Sequence, residues 1–213
     1  MSSAGHVVLL GDSIFDNAAY TDGGPDVVTQ LRALLPHGWT ATLLAVDGSL
    51  VSGLAAQLAR LPAGATHLVV SIGGNDALGH IGLLEREAAT IGEGLSVMSR
   101  EVQVFAQAYG EAVRLLQLAG LPLTLCTIYE GSFPDARFQR VAAAAVALFD
   151  DVILRAAAAA AVDVIELRLV CRAAEDYANP IEPSSVGGEK IARAVVRALG
   201  LGATAGTTRV FGG

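Results

Sequence analysis

The stretch Val7-Val8-Leu9-Leu10-Gly11-Asp12-Ser13-Ile14-Phe15-Asp16-Asn17 runs from four consecutive apolar residues straight into a glycine and two polar residues. A short, unbroken apolar run that stops at such a signal reads as a strand buried on both faces. The same pattern recurs along the chain. Thr40–Val46 runs into Asp47-Gly48, Leu68–Ile72 into Gly73-Gly74-Asn75-Asp76, and Leu121–Ile128 into Tyr129-Glu130, with a fifth run at Val162–Leu167. Helical spacing separates these runs. It covers Val27–Leu35 up to Pro36, Gly53–Leu61 up to Pro62, Pro134–Ala161 and Ser185–Leu199. Ile81–Ala119 is mostly helical too, with a break expected around Gly92-Glu93-Gly94. Strands alternating with helices of this length predict βαβ units, hence an α/β fold: a three-layer α/β/α domain around a parallel sheet of about five strands. Residues 1–200 form one domain in this reading, and the Gly- and Thr-rich residues 201–213 form a mobile tail.

Composition narrows the function classes. The chain has 213 residues, 53% hydrophobic and only 16% charged, which excludes intrinsic disorder. Mean hydropathy is +0.52. The most apolar stretch, Ala156–Val162, is still far short of the roughly 20 residues of a membrane span. Fourteen Lys and Arg against 21 Asp and Glu give a net charge of −7, so nucleic acid is not an expected partner. Cys126 and Cys171 lie in or beside apolar runs without CxxC spacing and read as reduced core thiols. The first residues carry neither a basic nor an apolar leader segment, so the expected location is cytoplasmic.

In an open parallel sheet, ligands bind at the carboxyl ends of the strands. The polar residues that follow each apolar run are therefore the candidates for chemistry. Ser13, placed at a strand-to-helix turn, is either an exposed nucleophile near helix amides or an N-cap. Asn75 offers an N–H donor over the rim, or an Asx cap of the next helix. Gly48 offers a bare backbone amide, or simply a turn. Taken together, a hydroxyl, a backbone N–H and an Asn amide at successive strand ends form a nucleophile with an oxyanion hole.

Gly11-Asp12-Ser13, Gly48 and Gly73-Gly74-Asn75-Asp76 resemble the first three sequence blocks of the SGNH (GDSL) hydrolase superfamily, and the resemblance extends to Pro180–Ala192. It implies a flavodoxin-like fold and cleavage of a carboxylic ester, thioester or acetyl ester, with a small-molecule ester as substrate. It also implies that Ser13 is the nucleophile and that the Ser13 N–H, the Gly48 N–H and the Asn75 side chain form the oxyanion hole.

The chain departs from the family in its closing block, Asp-x-x-His-Pro, whose histidine is the general base. No histidine is present there. Aligning Pro183 and the helix that follows puts Glu182 on the histidine position and Asn179 on the aspartate position. A second alignment sets Asp176 and Asn179 on those positions. Glu182 is then either the base, weaker than His by about two pKa units in its free form, or a residue that caps the last helix or pairs with an Arg. Of the four histidines only His80 is expected near the rim, as a second candidate base or as a packing residue. A third reading keeps the pocket without hydrolysis, binding an acyl or sugar ligand.

No HExxH, Cys/His cluster or P-loop pattern is present, and Lys190 falls inside a helix, so no metal or cofactor is expected. A flavodoxin-like phosphate site is the least favoured class, because Ser13-Ile14-Phe15-Asp16-Asn17 is acidic and poor in Gly, Ser and Thr. The runs Ala142–Ala145 and Ala156–Ala161 carry more small apolar surface than one sheet face needs, and a homodimer contact is the expected use of it.

Overall fold

The computed structural model describes residues 4–202. Five strands, β1 Gly5–Gly11, β2 Trp39–Leu43, β3 His67–Ser71, β4 Leu123–Cys126 and β5 Asp163–Ile165, form one sheet in the order β2-β1-β3-β4-β5. Every pairing is parallel. The helices are α1 Val27–Leu34, α2 Leu54–Leu58, α3 Gly74–Leu78, α4 Ile91–Gln117, α5 Ala136–Ala160, α6 Leu167–Val170 and α7 Ser185–Ala198. This is the expected three-layer α/β/α architecture, with the flavodoxin-like strand order.

Alternation along the strands sorts the core into two layers. Val7, Leu9, Val69, Cys126 and Ile165 face α1 and α7, meeting Val27, Leu31, Ile191 and Val195. Val8, Leu10, Leu68, Val70 and Leu125 face α2, α4 and α5, meeting Leu54, Tyr109, Val113, Phe149 and Ile153. With both faces covered, the strands have no polar side to display, which is why their sequences read as continuous apolar runs. Burial of Cys126 and Cys171 as free thiols agrees with their expected role.

Several boundaries differ from expectation. Strands β2, β4 and β5 are shorter than their apolar runs, because each run continues past its last ladder pairing into a rim loop. The break in Ile81–Ala119 falls between the short 3₁₀ helix Ile81–Glu85 and Ile91, not at Gly92–Gly94, which lie in the first turn of α4. There the Thr90 hydroxyl accepts from Glu93 N–H, and a good N-cap outweighs two glycines. Asp135 caps α5 in the same way through Arg137 and Phe138 N–H, so α5 starts after Pro134 rather than at it. Of the tail expected to be mobile, residues 203–213 lie outside the described residues. Among the described residues, no helix is long and apolar enough to cross a membrane.

The alanine runs divide. Ala142 and Ala145 line a cleft described below, Ala157 is buried in the core, and Ala156 and Ala160 pack against it. Of the two runs, Ala144, Ala158, Ala159 and Ala161 are left exposed for a contact between copies.

Candidate active site

Strand order reverses between β1 and β3: the chain leaves β1 for β2 on one side and returns to β3 on the other. The loops that leave β1 and β3 part at that point, and a crevice opens over the carboxyl ends of both strands. Ser13 stands in it. Gly11 ends β1 with φ +127°, and a Cβ there would lie 1.7 Å from the Ser71 carbonyl oxygen. Only glycine lets β1 turn this close to β3. The Gln57 side chain completes the strand end, accepting from Gly11 N–H and donating to Gly11 C=O, each at 2.7 Å. The turn then closes on Asp12, whose carbonyl accepts from Phe15 and Asp16 N–H and whose carboxyl accepts from Ile14 N–H.

No helix follows this turn directly. A short 3₁₀ helix, Ala18–Tyr20, comes first, and α1 starts at Val27, capped by Asp26. Ser13 is therefore not an N-cap. Asn75 is likewise not an Asx cap. It sits inside α3, behind Gly73, and its side-chain amide donates to the Ser49 carbonyl at 3.0 Å. That bond ties the end of β3 to the turn after β2, where Gly48 lies. Gly48 has φ +75°, the left-handed conformation expected at the third position of the turn closed by Ser49 N–H on Val46 C=O. Its own N–H has no partner among the described residues, and neither has that of Ser13.

The closing loop brings Glu182 to the same place. Glu182 is buried, and the Ser13 hydroxyl lies near enough to its carboxyl to counter part of the burial effect. Burial pushes the Glu182 carboxyl above its ordinary value; the Ser13 hydroxyl pulls the other way and nearby Asp47 adds to the rise. Oε2 of Glu182 is enclosed with no hydrogen-bond partner. Glu182 does not cap the last helix; Ser184 does, through Gly187 N–H. Nor does any Arg among the described residues pair with it.

The loop is held from several sides. Tyr129 OH donates to Ile181 C=O at 2.6 Å, and Asn17 Nδ2 donates to Pro183 C=O at 3.1 Å. Asn179 accepts from both Ile181 and Glu182 N–H. Exposed Asn179 thus shapes the loop. Asp176 is buried, accepts from Arg172 and Ala173 N–H and pairs with Lys190 at 2.5 Å. It anchors the base of the loop and does not face Ser13.

His80 reaches the rim as expected, but it is engaged elsewhere. Its Nδ1 lies 3.7 Å from Glu101 of α4, and its ring stacks on Phe149 at 6.1 Å. His6 and His67 sit at the opposite, amino-terminal edge of the sheet. Ser13, Asn75, His80 and Glu182 all line one cleft of about 100 Å³. Gly48 does not line it; it stands at the exposed turn beside Asn75.

Two residues that shape the electrostatics were not singled out by the sequence for that purpose. Asp12, fully buried beneath the site, has its carboxyl pushed up to about 8 by burial, against the pull of Ile14 N–H and with Glu182 and Asp76 adding to the rise. Burial there favours the protonated, uncharged form of the carboxyl next to Ser13. Asp76 accepts from Val51 N–H at 3.1 Å, a further tie between the loops after β2 and β3. Gln57 was missed, and Asn17 and Tyr129, though both belong to the quoted stretches, were given no such role. Each acts across at least 46 positions of chain, and no local pattern marks such a contact.

The fold has counterparts among known proteins. Among solved structures the fold matches an extracellular lipase from Streptomyces rimosus, with a TM-score of 0.69 at 15% identity over 92% of this chain and 100% of that one. It also matches a phospholipase A1 from Streptomyces albidoflavus, at 0.67 and 12% over 93% and 99%. An acetylxylan esterase from Geobacillus stearothermophilus matches at 0.63 and 18% over 93% and 95%. No protein with a curated description matches the chain by sequence. A family model covers residues 9–187, from within β1 through the Ser13 turn to the start of α7, and on that match the chain belongs to the GDSL-like lipase/acylhydrolase family, a family of hydrolases.

Proposed function

We propose that the protein hydrolyses a carboxylic ester through an acyl-Ser13 intermediate, with Glu182 in the place of the usual histidine base. The observation that carries this reading is the Glu182 carboxyl, buried beside the Ser13 hydroxyl with an unpartnered oxygen. In the first half-reaction, Ser13 Oγ attacks the ester carbonyl carbon and its proton passes to Glu182. The oxyanion is held by the free N–H of Ser13 and the second N–H of Asn75, with the free N–H of Gly48 available from the turn that Asn75 ties down at Ser49, at the edge of the cleft. Collapse breaks the carbon–oxygen bond to the alcohol, which leaves with the proton from Glu182. In the second half, Glu182 takes a proton from water, the hydroxide attacks the acyl-Ser13 carbonyl, and the acid departs as Ser13 regains its proton.

A free carboxylate is a weak base for this work, by about two pKa units relative to His. Burial of Glu182 recovers part of that gap, because a higher pKa increases the driving force for taking the serine proton. Asn75 is placed to do what an Asn side chain does in an oxyanion hole, a contribution of about 3 kcal/mol to the transition state. His80, with Glu101 and Phe149 as its neighbours, is not the base in this reading.

A fluorophosphonate probe tests the nucleophile: wild type is labelled and Ser13→Ala is not. On p-nitrophenyl butyrate, Glu182→Gln lowers kcat/KM by about 10²–10⁴-fold, the usual size of a general-base contribution, while His80→Ala leaves most activity. Absence of labelling and turnover in the wild type favours a pocket that only binds an acyl or sugar ligand. Full activity in Glu182→Gln rejects the glutamate.

A further inference from the structure

The cleft has two unlike sides. Its polar lining comes chiefly from the ends of β1 and β3 and from the 181–182 loop, while the helices supply apolar side chains. The outer halves of α4 and α5 form much of that apolar part. In α5, the Asp150 carboxyl accepts from Ile128 N–H, just past the end of β4, so the turns before it stand beyond the sheet. In α4, no residue before Phe105 is buried. Between these outer halves the cleft is walled by Ala142, Ala145, Val146 and Phe149, at spacing i, i+3, i+4, i+7, and faced by Leu84 and Met98. That single face of α5 is about 10 Å long at 1.5 Å of rise per residue. On the opposite side of Ser13, Glu182 feels the charge of Asp47. There Tyr20 OH donates to Asp47, and Asp16 accepts from Asp47 N–H, on the rim of the molecule.

The two halves of an ester have different needs. The departing alcohol must collect its proton from Glu182, so it belongs on the polar Asp16–Tyr20–Asp47 side. The acyl group is left with the apolar branch along α5. There, methyl-sized side chains at 142 and 145 leave room that a larger residue would fill. We propose that the substrates are esters of medium-length aliphatic acids whose acyl chain lies along this α5 face, with Ala142 and Ala145 setting its depth. The proposal rests on Ser13 and Glu182 acting as described above. It separates this protein from an acetyl esterase, since an acetyl group would leave the α5 face uncovered. Each methylene buried there raises kcat/KM by up to about fourfold.

The test compares p-nitrophenyl acetate, butyrate, octanoate and laurate on wild type, Ala145→Phe and Ala144→Phe, the last on the exposed face of α5 as a control. Wild type is expected to prefer octanoate over acetate by at least about tenfold. Ala145→Phe is expected to lose octanoate turnover while keeping acetate turnover and its melting temperature, and Ala144→Phe to follow the wild type. A flat or acetate-favouring wild-type profile overturns the proposal. So does an Ala145→Phe variant that stays folded and loses acetate and octanoate equally. If no ester is turned over at all, the Ser13–Glu182 reading fails on its own. The cleft assignment is then decided by thermal shift: octanoate raising the melting temperature of wild type but not of Ala145→Phe sustains it, and no shift overturns it.

Discussion

The two sides of the site are built differently. On the α7 side, the loop that carries Glu182 is pinned by Tyr129, Asn17, Asn179 and the Asp176–Lys190 pair. On the α4/α5 side, the helices run past the sheet and expose apolar side chains: Ile91 is 85% exposed and Leu95 58%. A proton acceptor must hold its place to within a fraction of an ångström, and hydrogen bonds supply that directional restraint. A wall for an aliphatic group needs only volume and the exclusion of water, which undirected apolar contacts provide. The comparison predicts that perturbing the α7 side alters chemistry and stability, while the outer helix surfaces tolerate change.

The largest effect tests the base itself. Because burial raises the Glu182 carboxyl, kcat/KM should fall on the acid side with a midpoint above the ordinary 4.5 of a glutamate. The sign follows from the role: the base works only when deprotonated, so activity is present above its pKa and lost as pH drops through it. Glu182→His should move that midpoint towards ~6.5 while restoring activity lost in Glu182→Gln. A limb that stays in place in Glu182→His assigns it to another group.

Loosening the loop comes next. Tyr129→Phe removes one buried hydrogen bond to Ile181 and should lower kcat/KM by about fivefold with KM little changed, consistent with about 1 kcal/mol of positioning. Stopped-flow or steady-state rates across substrate concentration would show the split, and a change confined to KM would place the effect on binding instead.

The anchor beneath the loop reads out as stability. Burial raises the Asp176 carboxyl, but Lys190 and the N–H groups of Ala173 and Arg172 outweigh it and leave it below its ordinary value. A carboxylate depressed in the folded state contributes stability above its unfolded pKa, and that contribution is lost as pH falls through its folded pKa. Asp176→Asn should therefore cost about 2 kcal/mol at neutral pH, with the gap to wild type closing in strong acid. Urea denaturation at both pH values measures it, and a pH-independent gap would point to packing rather than charge.

The smallest effect belongs to the opposite side. Ile91→Ser on the outer turn of α4 should change stability by no more than about 0.5 kcal/mol, because its side chain is already in water. A larger loss in calorimetry would mean that this surface is covered in solution and that the two sides are less unlike than they look.

Much of this was legible in the chain. Five apolar runs, each ending in a polar turn, specify a doubly covered parallel sheet, and they put Ser13, Gly48 and Asn75 at neighbouring strand ends. The reason is local: strand burial and helix periodicity are written within a few residues of each position. Boundaries were less legible where a cap competed with composition, as at Thr90 before Gly92 and Gly94, since one side-chain hydrogen bond outweighs the propensity of two residues.

What the sequence by itself determined is the sheet, the rim and the cast of polar residues on it. Whether Ser13 caps a helix, how His80 and Glu182 are placed around it, and which alanines of α5 line a cleft depend on tertiary structure alone. Each of those outcomes depends on a contact between segments far apart in the chain: Asn17 with Pro183, His80 with Glu101, and Ala142 and Ala145 with the cleft beside Ser13. Sequence spacing carries no information about such contacts until the sheet has brought the strand ends together.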